Sequence, residues 1–256
     1  MTKVVLVTGA SRGIGRAIVD DLLKRENDAA VYGVARSEEL LKKIKEKYGN
    51  RFYYVAGDIT DDSVLEKLVN DAVERHGHID SVIANAGVLE PVQDVSKLEV
   101  ASWKKLFDVN FFSVVSLTSK VIPYLSKVHG NLIFVSSGAS VKPYYAWGAY
   151  GSSKAALNHF AMTIAAETSQ VRSIAIAPGV VDTQMQVDIT EVLGPNAMTP
   201  EALQRFIELR KNRELLPPSV PAAVYGKLAL EGIPAELSGQ YLRYNDKRLH
   251  PPGNDS

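Results

Sequence analysis

Val4-Val5-Leu6-Val7-Thr8-Gly9-Ala10-Ser11-Arg12-Gly13-Ile14-Gly15-Arg16-Ala17-Ile18-Val19 decides the architecture of this chain. Val4 to Val7 is a short β-branched apolar run, the pattern of a strand covered on both faces. From Arg16 to Leu23 apolar residues return at helical spacing, so a helix follows. The turn between them carries glycines at 9, 13 and 15, which allow a tight bend and close packing of helix on strand. Free N–H groups at the start of such a helix face an anion such as a pyrophosphate. The spacing is Gly-x-x-x-Gly-x-Gly, which differs from the commoner Gly-x-Gly-x-x-Gly dinucleotide fingerprint.

The same alternation continues along the chain. Strand-like runs fall at 4–7, 30–35, 52–56, 81–84, 131–136, 173–177 and 240–243. Helical patterns lie between them, at about 13–26, 38–48, 61–76, 99–127, 152–168 and 221–231. Repeated βαβ units imply right-handed crossovers and a parallel sheet covered on both faces. The expected fold is one doubly wound, Rossmann-type α/β domain over 1–256 with about seven strands. Residues 182–220 stand apart, with Pro195, Pro200, Pro217 and Pro218 around a charged helical piece at 201–214. A connection of that length is expected to be a substrate lid. The tail from His250 to Ser256 is polar and rich in Pro and Gly, as in a frayed terminus.

Composition narrows the function classes. The formal net charge is +0, so no electrostatic footprint points to nucleic acid or an anionic membrane. With no cysteine, disulfides, thiolate metal sites and a cysteine nucleophile are excluded. His76 and His78 flank a helix-ending glycine, a C-terminal turn rather than a metal pair. No secretory leader and no apolar stretch of membrane-spanning length is read, so the expectation is a soluble cytoplasmic protein.

Tyr150 is followed four residues later by Lys154, and no other of the eleven tyrosines has a lysine at that distance. On a helix the two side chains share a face. A phenol titrates near pH ~10, and a neighbouring positive charge draws it toward the phenolate, which suits it to acid–base work at neutral pH.

With these residues in hand, the chain resembles the short-chain dehydrogenase/reductase family over essentially its whole length. Thr8-Gly9-Ala10-Ser11-Arg12-Gly13-Ile14-Gly15 is similar to the family's cofactor turn. Asp58-Ile59 follows the third strand, where the family contacts adenine. Ala84-Asn85-Ala86-Gly87 resembles its Asn-Asn-Ala-Gly element, with Ala at the first position. Asn110, Ser137, Tyr150 and Lys154 follow in order, and Pro178-Gly179-Val180-Val181-Asp182-Thr183 resembles the segment that brackets the nicotinamide. The resemblance implies that Tyr150 donates the proton to a carbonyl and that Ser137 hydrogen-bonds the substrate oxygen. It implies that Lys154 holds the nicotinamide ribose and depresses the pKa of Tyr150. Asn110 would keep its helix locally open for a proton relay. Ser136 and Ser137 are adjacent, and the thirteen-residue interval to Tyr150 favours Ser137.

An enzyme using NAD(H) places an acid after the second strand, where it bonds the ribose hydroxyls. Here that position is Ala35, with Arg36 beside it and Arg12 in the glycine turn, which favours a 2′-phosphate and hence NADP(H). Tyr144, Tyr145 and Trp147 lie between Ser137 and Tyr150 and could line an apolar cleft, with Met185 after Thr183. The pattern is most similar to the sepiapterin and benzil reductase branch. The position of the pterin-anchoring acid is Arg243 here, which turns the expectation toward a bulky aromatic ketone or vicinal diketone. Sepiapterin-type reduction, 3-oxoacyl reduction and a catalytically silent NADP(H)-sensing regulator remain as alternatives. Phe111, Phe112, Val115, Leu157, Phe160 and Met162 exceed what one buried helix stripe needs, so a homodimer or homotetramer is expected.

Overall fold

A computed structural model describes residues 2–250; of the polar tail, 251–256 lie outside the described residues. Seven strands form one parallel sheet: β1 (Lys3–Thr8), β2 (Ala29–Ala35), β3 (Phe52–Ala56), β4 (Ser81–Ala84), β5 (Asn131–Val135), β6 (Arg172–Ala177) and β7 (Tyr241–Arg243). Their spatial order is 3-2-1-4-5-6-7, every neighbouring pair parallel. The winding reverses between β1 and β4, and doubly wound sheets leave a crevice at the carboxyl ends of strands at such a point.

The helices that cover the sheet begin with α1 (Gly13–Arg25), α2 (Glu38–Tyr48), α3 (Asp62–His76), α4 (Val100–Phe107), α5 (Ser113–Val128) and α6 (Gly148–Glu167). They are followed by α7 (Gln184–Val187), α8 (Gly194–Ala197), α9 (Pro200–Lys211) and α10 (Ser219–Glu231). Alternate side chains of β1 feed two cores. Val5 and Val7 pack with Ile18 and Leu22 of α1 and with Tyr225 and Leu228 of α10. Val4 and Leu6 belong to the opposite core, with Leu68 of α3 and with Val114, Leu117 and Val121 of α5.

A π-helical turn at Asp108–Phe112 joins α4 to α5, so Val100–Val128 is one continuous helical run. Its 29 residues, with a mean hydropathy of 1.2 over the most apolar window, make it long and apolar enough to cross a membrane. It does so by length and composition only, and polar residues such as Lys104, Lys105, Asp108, Asn110 and Lys120 interrupt the run, so no unbroken apolar stretch of about 18 residues occurs in it. The run lies against the sheet, with Val114, Leu117, Val121 and Leu125 in the core.

One further boundary differs from the sequence expectation. Helix α6 starts at Gly148, four residues before the expected 152, because Gly148 and Gly151 read locally as loop. Gly151 is required there: a Cβ would stand 2.8 Å from the carbonyl oxygen of Ala139. The segment 182–220 is built from α7, a second π-helical turn (Asp188–Leu193), α8 and α9. It folds back on itself, for Asp182 N donates to Leu216 O at 2.8 Å and Leu216 N to Val180 O at 2.9 Å. Of the apolar residues expected at a subunit contact, Leu157 belongs to the core and Phe111 and Phe160 pack against it. Phe112 and Met162 stand exposed.

Candidate active site

The glycine turn is shaped by contacts that a side chain would destroy. Gly9 and Gly13 have φ of +67° and +56°, and a Cβ on Gly15 would lie 2.1 Å from Gly9 O. Asn85 braces the turn from the end of β4, its Nδ2 donating to Thr8 O at 2.9 Å. Thr8 Oγ1 accepts from the backbone N–H groups of Asn85 and Ala86, each at 3.0 Å. Arg12 is the N-cap of α1 and supplies no side-chain acceptor, and the first turn carries no acid. The leading N–H groups of α1 are therefore available to an anion, and the dipole of a thirteen-residue helix favours one.

A cleft of about 1020 Å³ runs from this turn across the carboxyl ends of the strands. One half is lined by Ser11, Arg12, Gly13, Ile14, Ala35, Arg36, Asp58 and Ile59, with both arginines exposed. Asp58 accepts from Thr60 N and Thr60 Oγ1, both at 2.9 Å. The N–H of Thr60, first, and then its hydroxyl and Arg36 hold this carboxyl below its usual range. Asn85, Ala86 and Gly87 line the middle, together with Pro178, Gly179, Val181 and Thr183. A Cβ on Gly13 would meet Thr183 Cγ2 at 3.3 Å, and one on Gly87 would meet Asn110 Oδ1 and Lys154 Nζ at 3.3 Å. A groove this narrow at its glycines, with free N–H groups at one end, fits an extended dinucleotide.

Tyr150 and Lys154 sit at the floor, in the first two turns of α6. The ammonium stands over the tyrosine ring, 5.8 Å from its centroid, and donates to Val135 O at 2.8 Å. Burial raises Tyr150 above its ordinary value, while the Ser137 hydroxyl draws it back. Burial lowers Lys154 to about 8. The phenol is thus held as an acid, and the lysine titrates close to neutrality. Asn110 is fully buried within the first π-helical turn, where its Oδ1 accepts from Val88 N at 2.8 Å. Its Nδ2 donates to Val88 O at 2.9 Å and to Ser153 Oγ at 3.1 Å. Both serines border the cleft, but Ser136 commits its hydroxyl proton to Asn158 Oδ1, whereas Ser137 Oγ accepts from Ala139 N at 3.1 Å.

The other half of the cleft carries an aromatic cluster, with Gln186, Arg205 and Arg243 also on its lining. Trp147 stacks with Tyr144 at 5.1 Å and with Phe206 of α9 at 5.2 Å, and meets Tyr150 edge to face at 5.7 Å. Its indole Nε1 is buried without a hydrogen-bond partner, as is Gln186 Oε1 on the same cleft. Met185 and Leu89 also line it. Tyr145, expected beside Tyr144, turns away and donates to Asp94 Oδ2. No motif marks Phe206; the one local signal is the Leu203/Phe206 pair at helical spacing, both buried.

The short chain dehydrogenase family model matches residues 3–193. The chain is 62% identical to an uncharacterized oxidoreductase of Saccharomyces cerevisiae, over 97% of this chain and 98% of that protein. It is 55% identical to a benzil reductase ((S)-benzoin forming) of the same yeast, over 98% and 99%. A crystal structure of a Saccharomyces cerevisiae short chain dehydrogenase/reductase superposes with a TM-score of 0.96 at 62% identity, covering 96% of this chain and 98% of that one. The glycine turn, the seven-stranded parallel sheet and these matches agree: the chain is an oxidoreductase belonging to the short-chain dehydrogenase/reductase family.

Proposed function

We propose that this enzyme is an NADP(H)-dependent carbonyl reductase that prefers bulky aromatic ketones and vicinal diketones. The observation that carries the reading is the junction at Tyr150. There a buried phenol held in its acid form lies with Ser137 and Lys154 where a dinucleotide-shaped groove meets an aromatic cluster. The bound dinucleotide supplies the hydride. The N–H groups of α1 hold its pyrophosphate, Arg12 and Arg36 take the 2′-phosphate, and Ala35 presents no carboxylate to repel it. Asp58 and Ile59 border the adenine. Asn85, Ala86 and Gly87, with Pro178, Gly179, Val181 and Thr183, border the nicotinamide end.

Tyr150 gives its proton to the carbonyl oxygen, and Ser137 donates a hydrogen bond to the same oxygen as charge develops on it. Lys154 stabilises the resulting phenolate and, titrating near 8, exchanges protons at neutral pH. Asn110 fixes the loop after β4 through both atoms of its amide. Substrate choice follows from the aromatic half. Tyr144 and Phe206, 6.0 Å from each other, pack together against Trp147, whose indole N–H is buried without a hydrogen-bond partner. A donor beside the reacting centre suits the second carbonyl of a diketone. Similarity to a benzil reductase supports the same class. A panel of benzil, sepiapterin and a small aliphatic aldehyde, each with NADPH followed by absorbance, tests the reading. Benzil should show the highest kcat/KM, and a higher value for either of the others refutes the substrate class.

A further inference from the structure

We propose that Asn158 is a positioning residue for Ser137, locking the substrate-oxygen donor to the helix that carries Tyr150 and Lys154. The inference rests on the role of Ser137 given above. Asn158 follows Lys154 by four residues on α6 and so lies on the same helical face. It does not line the cleft. Its amide reaches both sides of Ser137 instead. Ser136 Oγ donates to Asn158 Oδ1 at 2.6 Å, and Asn158 Nδ2 donates to Ser140 Oγ at 2.8 Å.

The directions of these bonds are fixed by the network. Ser140 Oγ spends its single proton on Ser137 O, at 2.6 Å, so it can only accept from Asn158. The atom facing Ser140 is therefore Nδ2, which leaves Oδ1 to accept from Ser136. Tyr241 OH adds a second, longer bond to Ser137 O at 3.3 Å. Ser136 N also donates to Ile176 O at 2.8 Å, continuing the sheet. The peptide of Ser137 is thus clamped before and after by one side chain of α6. Ala139 N occupies a lone pair of Ser137 Oγ, which leaves the hydroxyl proton for the cleft. Catalytic groups set on one rigid element keep their mutual geometry, and a misplacement of about 1 Å can cost about 10²-fold in rate.

The test is a double-mutant cycle on benzil reduction with NADPH, pairing Asn158→Leu with Ser137→Ala. Asn158→Leu alone should lower kcat by about tenfold or more while KM for NADPH stays within about twofold. In the Ser137→Ala background the same change should cost less than about threefold, because the group it positions is gone. Ser140→Ala removes the whole rear link, both the bond from Asn158 and the Ser140 bond to Ser137 O, and gives the same cycle if Asn158→Leu does not fold. Losses that add in full, or an unchanged kcat in both Asn158→Leu and Ser140→Ala, overturn the proposal while leaving Ser137 in its role. A Ser137→Ala enzyme with wild-type kcat overturns that role and this inference together.

Discussion

Lys154→Met removes the only buried charged side chain among the described residues and leaves a chain of similar length. Burial brings the lysine from 10.5 to about 8, which corresponds to about 3 kcal/mol of unfavourable burial at neutral pH. Against this stands its bond to Val135 O at 2.8 Å. Bonds from charged donors contribute ~1.5–3 kcal/mol. The balance is roughly 0–1.5 kcal/mol in favour of the variant without cofactor, or up to a few degrees in Tm for a chain of this size. The sign with pH follows from the proton counts. Between about 8 and 10.5 the unfolded lysine keeps its proton and the folded one does not, so wild type gains stability as pH rises through that window. The methionine variant has no such gain. Its advantage should be present below about pH 8 and fade toward 10.5, while turnover falls by about 10² or more. Thermal unfolding of both proteins without cofactor across this range is the assay. A stability difference that does not change with pH would refute the reasoning.

Ala35→Asp should move preference from NADPH toward NADH, and Arg36→Ala should weaken NADPH with little effect on NADH, read as kcat/KM for each cofactor. Trp147→Phe keeps a stacked ring and removes the N–H, so benzil should lose about tenfold in kcat/KM relative to an aromatic monoketone such as deoxybenzoin. An unchanged ratio would remove the indole from substrate recognition. The protein should be a homo-oligomer through exposed Phe112 and Met162, and light scattering showing a monomer at micromolar concentration would overturn this.

The sheet is legible in the sequence because its strands are buried on both faces and read as continuous β-branched runs, with Val4 to Val7 the clearest case. The glycine turn is legible because its spacing states its geometry. Other features depend on contacts distant in sequence. Phe206 comes to Trp147 only when the 182–220 excursion folds back through its Val181–Leu216 bridge. Tyr145 leaves Tyr144 in a bend where Ala146 takes φ +63°, which local pattern does not reveal. The four-residue interval places Lys154 beside Tyr150, but burial rather than that neighbour dominates the tyrosine's titration. Asn158 carries no motif at all; its role emerges from two hydrogen bonds between its amide and the loop after β5, and from two more within that loop.

The most direct measurement is benzil reduction by wild type and Tyr150→Phe, with NADPH binding followed in parallel. The ring remains and the proton donor is lost, so turnover should fall by about 10²–10⁴ while NADPH affinity stays near wild type. Retention of more than about a third of wild-type turnover, far above what loss of an acid–base group allows, would contradict the account.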